Sequence, residues 1–139
     1  MATTTLKLEI VTPEAKVYSE DVEMVTLPAV DGEMGVFPNH VPLMTQVTPG
    51  EIVVRKDGRD VLLAVGEGFV KITGDHVAIM TDMAMKAEDI DEAQAEEARR
   101  RAQARLAETI DDEEAAMVSA ALAHSLAQLK VKRRRGSGG

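Results

Sequence analysis

The chain has 139 residues, with 16 Lys and Arg against 24 Asp and Glu for a formal charge of −8, and it contains no Cys and no Trp. The lack of Cys excludes disulfides, thiolate metal sites and thiol catalysis. The acid excess disfavours nucleic acid and anionic lipid as generic partners, and three aromatics, Tyr18, Phe37 and Phe69, make no base-stacking platform.

Residues 5–86 read as β. Leu6, Leu8 and Ile10 alternate with Lys7 and Glu9, and Val22, Met24 and Thr26 alternate with Glu23, Val25 and Leu27. Further strand-like runs cover residues 51–55, 61–65, 69–73 and 77–81. Asp57-Gly58 and Gly74-Asp75 supply tight turns between them. All five prolines fall in this half, where they punctuate short strands. Seven or eight short strands with frequent turns predict an all-β sandwich or flattened barrel over residues 1–86.

The pattern changes after Met85. From Glu88 to Lys130 there is no Gly and no Pro, and Ala dominates. Asp89 or Asp91 caps a first helix that is acidic at Glu88 and Glu92 and basic at Arg99, Arg100, Arg101 and Arg105. Asp111 or Asp112 caps a second that begins Glu113-Glu114 and ends near Lys130. The acid-to-base order complements the macrodipole twice, which sets the break near residue 110. The expected apolar stripes are Ala95, Ala98, Ala102 and Leu106, then Ala115, Val118, Leu122, Leu126 and Leu129. A short connection makes the helices an antiparallel hairpin over residues 87–131, with Arg105 near Glu113 and Glu114 and the basic end of the second helix near the acidic start of the first. A basic then Gly/Ser-rich flexible tail, 132–139, follows. Such a hairpin cannot bury its apolar surface alone, so it docks on the β half, on a partner, or on each in turn.

Chemical equipment is sparse. His40, His76 and His124 are scattered, with no companion at metal-ligand spacing. Gly66-Glu67-Gly68 fails as a phosphate loop, because Lys71 stands where the third glycine belongs. No nucleophile, metalloprotease or P-loop motif is present. The chain is expected to be no enzyme and to need no metal or cofactor. No apolar run reaches the roughly 18–20 residues of a membrane span. Residues 1–9 have neither secretory nor transit character, so a cytosol-like compartment is expected.

The densest segment runs Leu27-Pro28-Ala29-Val30-Asp31-Gly32-Glu33-Met34-Gly35-Val36-Phe37-Pro38-Asn39-His40-Val41-Pro42-Leu43. It resembles the signature of the epsilon subunit of F-type ATP synthases, called delta in mitochondria. Val11-Thr12-Pro13, Thr48-Pro49-Gly50, Val65-Gly66-Glu67-Gly68-Phe69 and Ile90-Asp91 follow the order of that family, over residues 6–130. The resemblance implies a non-catalytic rotor subunit. Its sandwich would grip the shaft subunit gamma and sit on the c-ring through Asp31, Gly32, Glu33, Phe37, His40 and Pro42. Its hairpin would fold down on the sandwich or extend toward the catalytic alpha and beta subunits and impede ATP hydrolysis. Lys130, Lys132, Arg133, Arg134 and Arg135 would then meet an acidic loop of the beta subunit. The implied location is the cytoplasmic side of a bacterial inner membrane, peripheral through the complex.

Some relatives hold ATP on the helices through a motif similar to residues 90–95, which would involve Ile90, Asp91, Arg99 and Arg101. Gln94 stands where that motif has Arg, and a neutral amide lacks the fixed charge that favours phosphate. A soluble ATP sensor and a β-sandwich adaptor unrelated to ATP synthase are the alternative readings.

Overall fold

Apolar–polar alternation forms β1 (Leu6–Val11), whose Leu6, Leu8 and Ile10 are buried, and β2 (Lys16–Val22) pairs with it antiparallel. Residues 5–138 are described, with side chains through Arg135, in a computed structural model. The other strands are β3 (Met24–Ala29), β4 (Gly32–Val36), β5 (His40–Val47), β6 (Gly50–Lys56), β7 (Arg59–Val65), β8 (Gly68–Gly74), β9 (His76–Thr81) and β10 (Ala84–Lys86). A 3-10 turn, Ala87–Asp89, leads to α1 (Glu92–Leu106) and α2 (Asp112–Gly138).

The strands follow the order β10-β7-β6-β3-β5-β8-β9-β1-β2, with β4 added on β3. β3 and β5 share a single register pair, Ala29 with Val47, and there the sheet folds over into two layers. β2 comes back against β6, so the sandwich is nearly closed. All pairings are antiparallel except β1 with β9. Val, Ile and Leu from both layers, among them Leu8, Leu27, Ile52, Leu63, Ile72 and Ile79, fill the interior with no exposed surface.

Asp57 and Gly58 both take positive φ, 53° and 74°, the left-handed pair that a two-residue hairpin between β6 and β7 requires. The glycines of 66–68 answer to crowding. A Cβ on Gly68 would overlap the Met80 carbonyl, and one on Gly66 would strike Asp82 and His124.

Several features differ from the sequence expectation, and ten strands appear among the described residues where seven or eight were expected. Residues 31–42, given no strand in the sequence reading, contain β4 and the start of β5; prolines and outward-facing apolar residues hide the alternation there. The 22–27 run is divided by a bend at Glu23, with Val22 ending β2 and Met24 opening β3. The second helix does not stop near Lys130. It continues through the basic residues assigned to a tail and ends at Gly138, because Lys and Arg are good helix formers and their charge suits a helix C-terminus. Gly139 lies outside the described residues.

Asp91 caps α1 by accepting from the Gln94 N–H at 3.1 Å, and Asp111 caps α2 by accepting from the Glu114 N–H at 2.8 Å. The helices pack on each other, and α2 also lies across β6 and β7. Ala95 and Ala102 are buried on α1, while Ala98 and Leu106 are half-buried. On α2, Ser125, Ala127, Leu129 and Val131 are buried but Leu126 is 48% exposed. A helix pressed on two sides buries an arc rather than one stripe, and Leu126 falls outside it.

Candidate functional site

The signature residues are spread along β4. Asp31 belongs to the turn that leads into this strand, and Phe37 follows its end, about 17 Å away for five residues. Near Phe37, Asn39 takes φ 66° and its N–H donates to Asp75 Oδ1 at 2.8 Å, tying this turn to the β8–β9 turn. The His40 ring donates from Nδ1 to the Val41 carbonyl at 2.6 Å. Phe37, His40 and Pro42 therefore sit together, while Asp31 and Gly32 lie at the other end of β4. Glu33 lies opposite Pro28 and lines a shallow cleft of about 220 Å³ with Thr26, Val53, Arg55 and Arg134, on the hairpin side.

The outer face of the β5-β8-β9-β1 layer carries an apolar band. Phe69 stands between Gln46 and Met80 in register, and Met44 lies in the next row opposite Lys71. Met44 is 63% exposed, Phe69 50% and Met80 46%. Phe37, Val41 and Leu43 add exposed apolar surface near the β4–β5 turn. Met44 and Met80 carry no motif, so in the sequence they look like ordinary core residues; their register partners reveal the shared face.

The second surface is the seat of the hairpin. Ala64, Ala87, Ile90, Ala127 and Val131 form a small buried cluster, with Leu62, Met83 and Met85 against it. Polar contacts hold the hairpin at its tip and at its base. Arg105 Nε lies 2.7 Å from Glu114 Oε2 across the helix turn, and Arg133 reaches Glu92 at 3.0 Å and Glu96 at 3.1 Å. These are the two contacts that the acid-to-base order anticipates. His124 on α2 lies 3.1 Å from Asp82, in the connection from β9 to β10. Lys132 Nζ donates to the Ala87 carbonyl at 3.1 Å, and Arg134 pairs with Glu51 of β6. Thus the cations Lys132, Arg133 and Arg134 are engaged within the chain; Lys130 and Arg135 are exposed.

Electrostatics follow these pairs. Hydrogen bonds from Arg105 hold the Glu114 carboxyl below the ordinary carboxylate range, and those from Arg99, joined by Arg133, do the same for Glu96. His76, then Lys16, lowers Glu9; Lys56 lowers Glu20. Burial, helped by Glu20, pushes the Tyr18 hydroxyl up to about 12. Tyr18 borders an open cleft of about 660 Å³ between the sandwich and the end of α2, with Lys56, Lys86, Glu88 and Arg135 on its walls.

The residues suggested for nucleotide do not converge on one point. Ile90 is buried in the seat, and Asp91 is occupied as a helix cap. Arg99 is bound to Glu96 and Gln103 on its own helix, and the exposed Arg101 side chain lies 3.7 Å from Glu97. Among the described residues, no group of three or more His, Asp or Glu side chains is arranged to hold a metal ion. No helix among the described residues is long and apolar enough to cross a membrane.

Comparison with known proteins agrees with this architecture. Residues 5–87 match the family model for the ATP synthase delta/epsilon chain, beta-sandwich domain, and residues 88–133 match that for its long alpha-helix domain. The ATP synthase epsilon chain of Laribacter hongkongensis is 38% identical over 128 residues, covering 91% of each chain. That of Bacillus subtilis is 44% identical over 108 residues, covering 78% of this chain and 82% of the relative. A chain in the cryo-EM structure of the Euglena gracilis mitochondrial ATP synthase shares the fold with TM-score 0.76 at 23% identity, over 94% of this chain and 82% of that one. The chain belongs to the ATP synthase delta/epsilon-chain family, as an epsilon-type, non-catalytic subunit.

Proposed function

We propose that the sandwich grips the shaft subunit gamma and rests on the c-ring, passing torque without bond chemistry, while the α1–α2 hairpin regulates ATP hydrolysis. The exposed band of Met44, Phe69 and Met80 suits a long apolar partner such as the shaft. The c-ring contact is assigned to the signature residues, with Phe37, His40 and Pro42 at one end of β4 and Asp31, Gly32 and Glu33 toward the other. The chain would then lie on the cytoplasmic side of a bacterial inner membrane, held there by the complex.

The observation that carries the regulatory reading is the composition of the seat. Three of its five buried residues are Ala, and the Arg133–Glu92 pair at its edge is at least half exposed. Apolar burial on that scale stabilises docking by only a few kcal/mol. A partner can reverse such an equilibrium, since moving it from 1:99 to 99:1 takes about 5.5 kcal/mol of differential binding. Released, the hairpin extends toward the alpha and beta subunits, and Lys130, Lys132, Arg133, Arg134 and Arg135 face an acidic loop of beta.

Deletion of residues 88–139 tests this directly in the assembled complex. ATP hydrolysis is expected to rise severalfold while proton coupling persists. Unchanged hydrolysis would remove the inhibitory role, and loss of coupling would assign the hairpin to torque transmission instead.

A further inference from the structure

We propose that Glu51 and Arg134 form the latch of the docked hairpin, so that docking and capture of Arg134 by an acidic partner exclude one another. This rests on the reading of the hairpin as movable. Glu51 of β6 lies opposite Ala64 of β7, which lies opposite Met85 of β10. That row is the floor beneath α2. Strand alternation sends Ile52 into the core and leaves Glu51 facing the helix. The Glu51 side chain is only 5% exposed, whereas that of Arg134 is 55% exposed. Glu51 Oε1 accepts from Arg134 Nη1, and Oε2 has no hydrogen-bond partner among the described residues.

The asymmetry in burial gives the pair its role. Arg133 also makes ion pairs to the first helix, but Arg133 and Glu92 are each at least half exposed and interact weakly through water. Glu51 is covered by the docked helix, and a buried carboxylate without its counterion is strongly disfavoured. With the hairpin released, Glu51 meets water and needs no partner. Arg134 therefore acts on the balance between docked and released states, not on folding of the sandwich. An acidic surface that takes Arg134 removes the counterion from Glu51 and unseats the helix.

The test uses the full chain, which has no native Cys to interfere with labelling. Dyes on Ser119→Cys in α2 and Glu14→Cys in the β1–β2 connection, both exposed, report the docked fraction by energy transfer. Arg134→Ala is expected to lower the docked-to-released ratio at least tenfold, and adding Glu51→Gln to it is expected to restore the ratio to within about threefold of the parent. Val131→Asp, which places a charge in the apolar seat, serves as the reference for release. If Val131→Asp releases the hairpin but Arg134→Ala leaves the ratio within twofold, the latch is wrong and the movable hairpin stands. Loss of docking in Arg134→Ala that Glu51→Gln fails to restore also overturns the latch. If no variant releases the hairpin, both ideas fall.

Discussion

Long Val, Ile and Leu side chains from two layers interlock in the sandwich interior, whereas the seat under α2 is mostly Ala with one Ile and one Val. Burial scales with apolar area, so the first region is committed to one arrangement and the second is held by few contacts. The difference shows how one short chain supplies a rigid body and a removable part. Hydrogen-bonded strands and large side chains make the first; small side chains with polar contacts at the margin make the second.

The contrast breaks most visibly in the core. Ile79→Ala should lower unfolding free energy by about 2–5 kcal/mol in chemical denaturation, because packed layers cannot collapse into the gap. A cost similar to that of a surface change would mean that the sandwich is as yielding as the hairpin seat. Val131→Ala should weaken docking by about 1.5 kcal/mol, roughly two methylene equivalents, and leave the sandwich transition in place. Helix release and sandwich melting, followed by separate probes, check this; coincident shifts would erase the distinction.

Acid provides the mildest probe. Glu96 and Glu114 titrate below the ordinary value of 4.5 in the folded chain, so the unfolded chain binds protons first as pH falls. Their contribution is complete above the unfolded pKa and is lost as pH drops through the folded values. Hairpin melting followed from pH 6 to pH 3 should therefore show a decline confined to the acidic end. Flat behaviour there would mean that the pairs of Glu114 with Arg105 and of Glu96 with Arg99 and Arg133 hold nothing.

Much of this division is legible in the residues. Asp57-Gly58, the caps at Asp91 and Asp111 and the acid-to-base order of both helices are local signals, and local geometry satisfied them. Strands β4 and β5 were hidden because Val41, Leu43 and Met44 face outward, so the alternation that marks a half-buried strand is absent. The buried Glu51 looks in the sequence like any solvated strand carboxylate, since its burial depends on a helix that arrives some sixty residues later in the chain. Leu126 was misplaced for a related reason: periodicity gives one stripe, and contact with both α1 and the sheet moves the buried arc. Within the signature, spacing along the chain conceals the separation of its two ends by β4.

The parallel pairing of β1 with β9 has a consequence for biosynthesis. Lys7 and Glu9 lie beside His76 and Ala78, which are synthesised some seventy residues later. Such distant pairing is slow, so β1 can pair with β2 on one edge at once while its other edge waits as translation proceeds. The nascent sandwich can close only after the ninth strand clears the exit tunnel, and the helices emerge after it, onto a surface already formed.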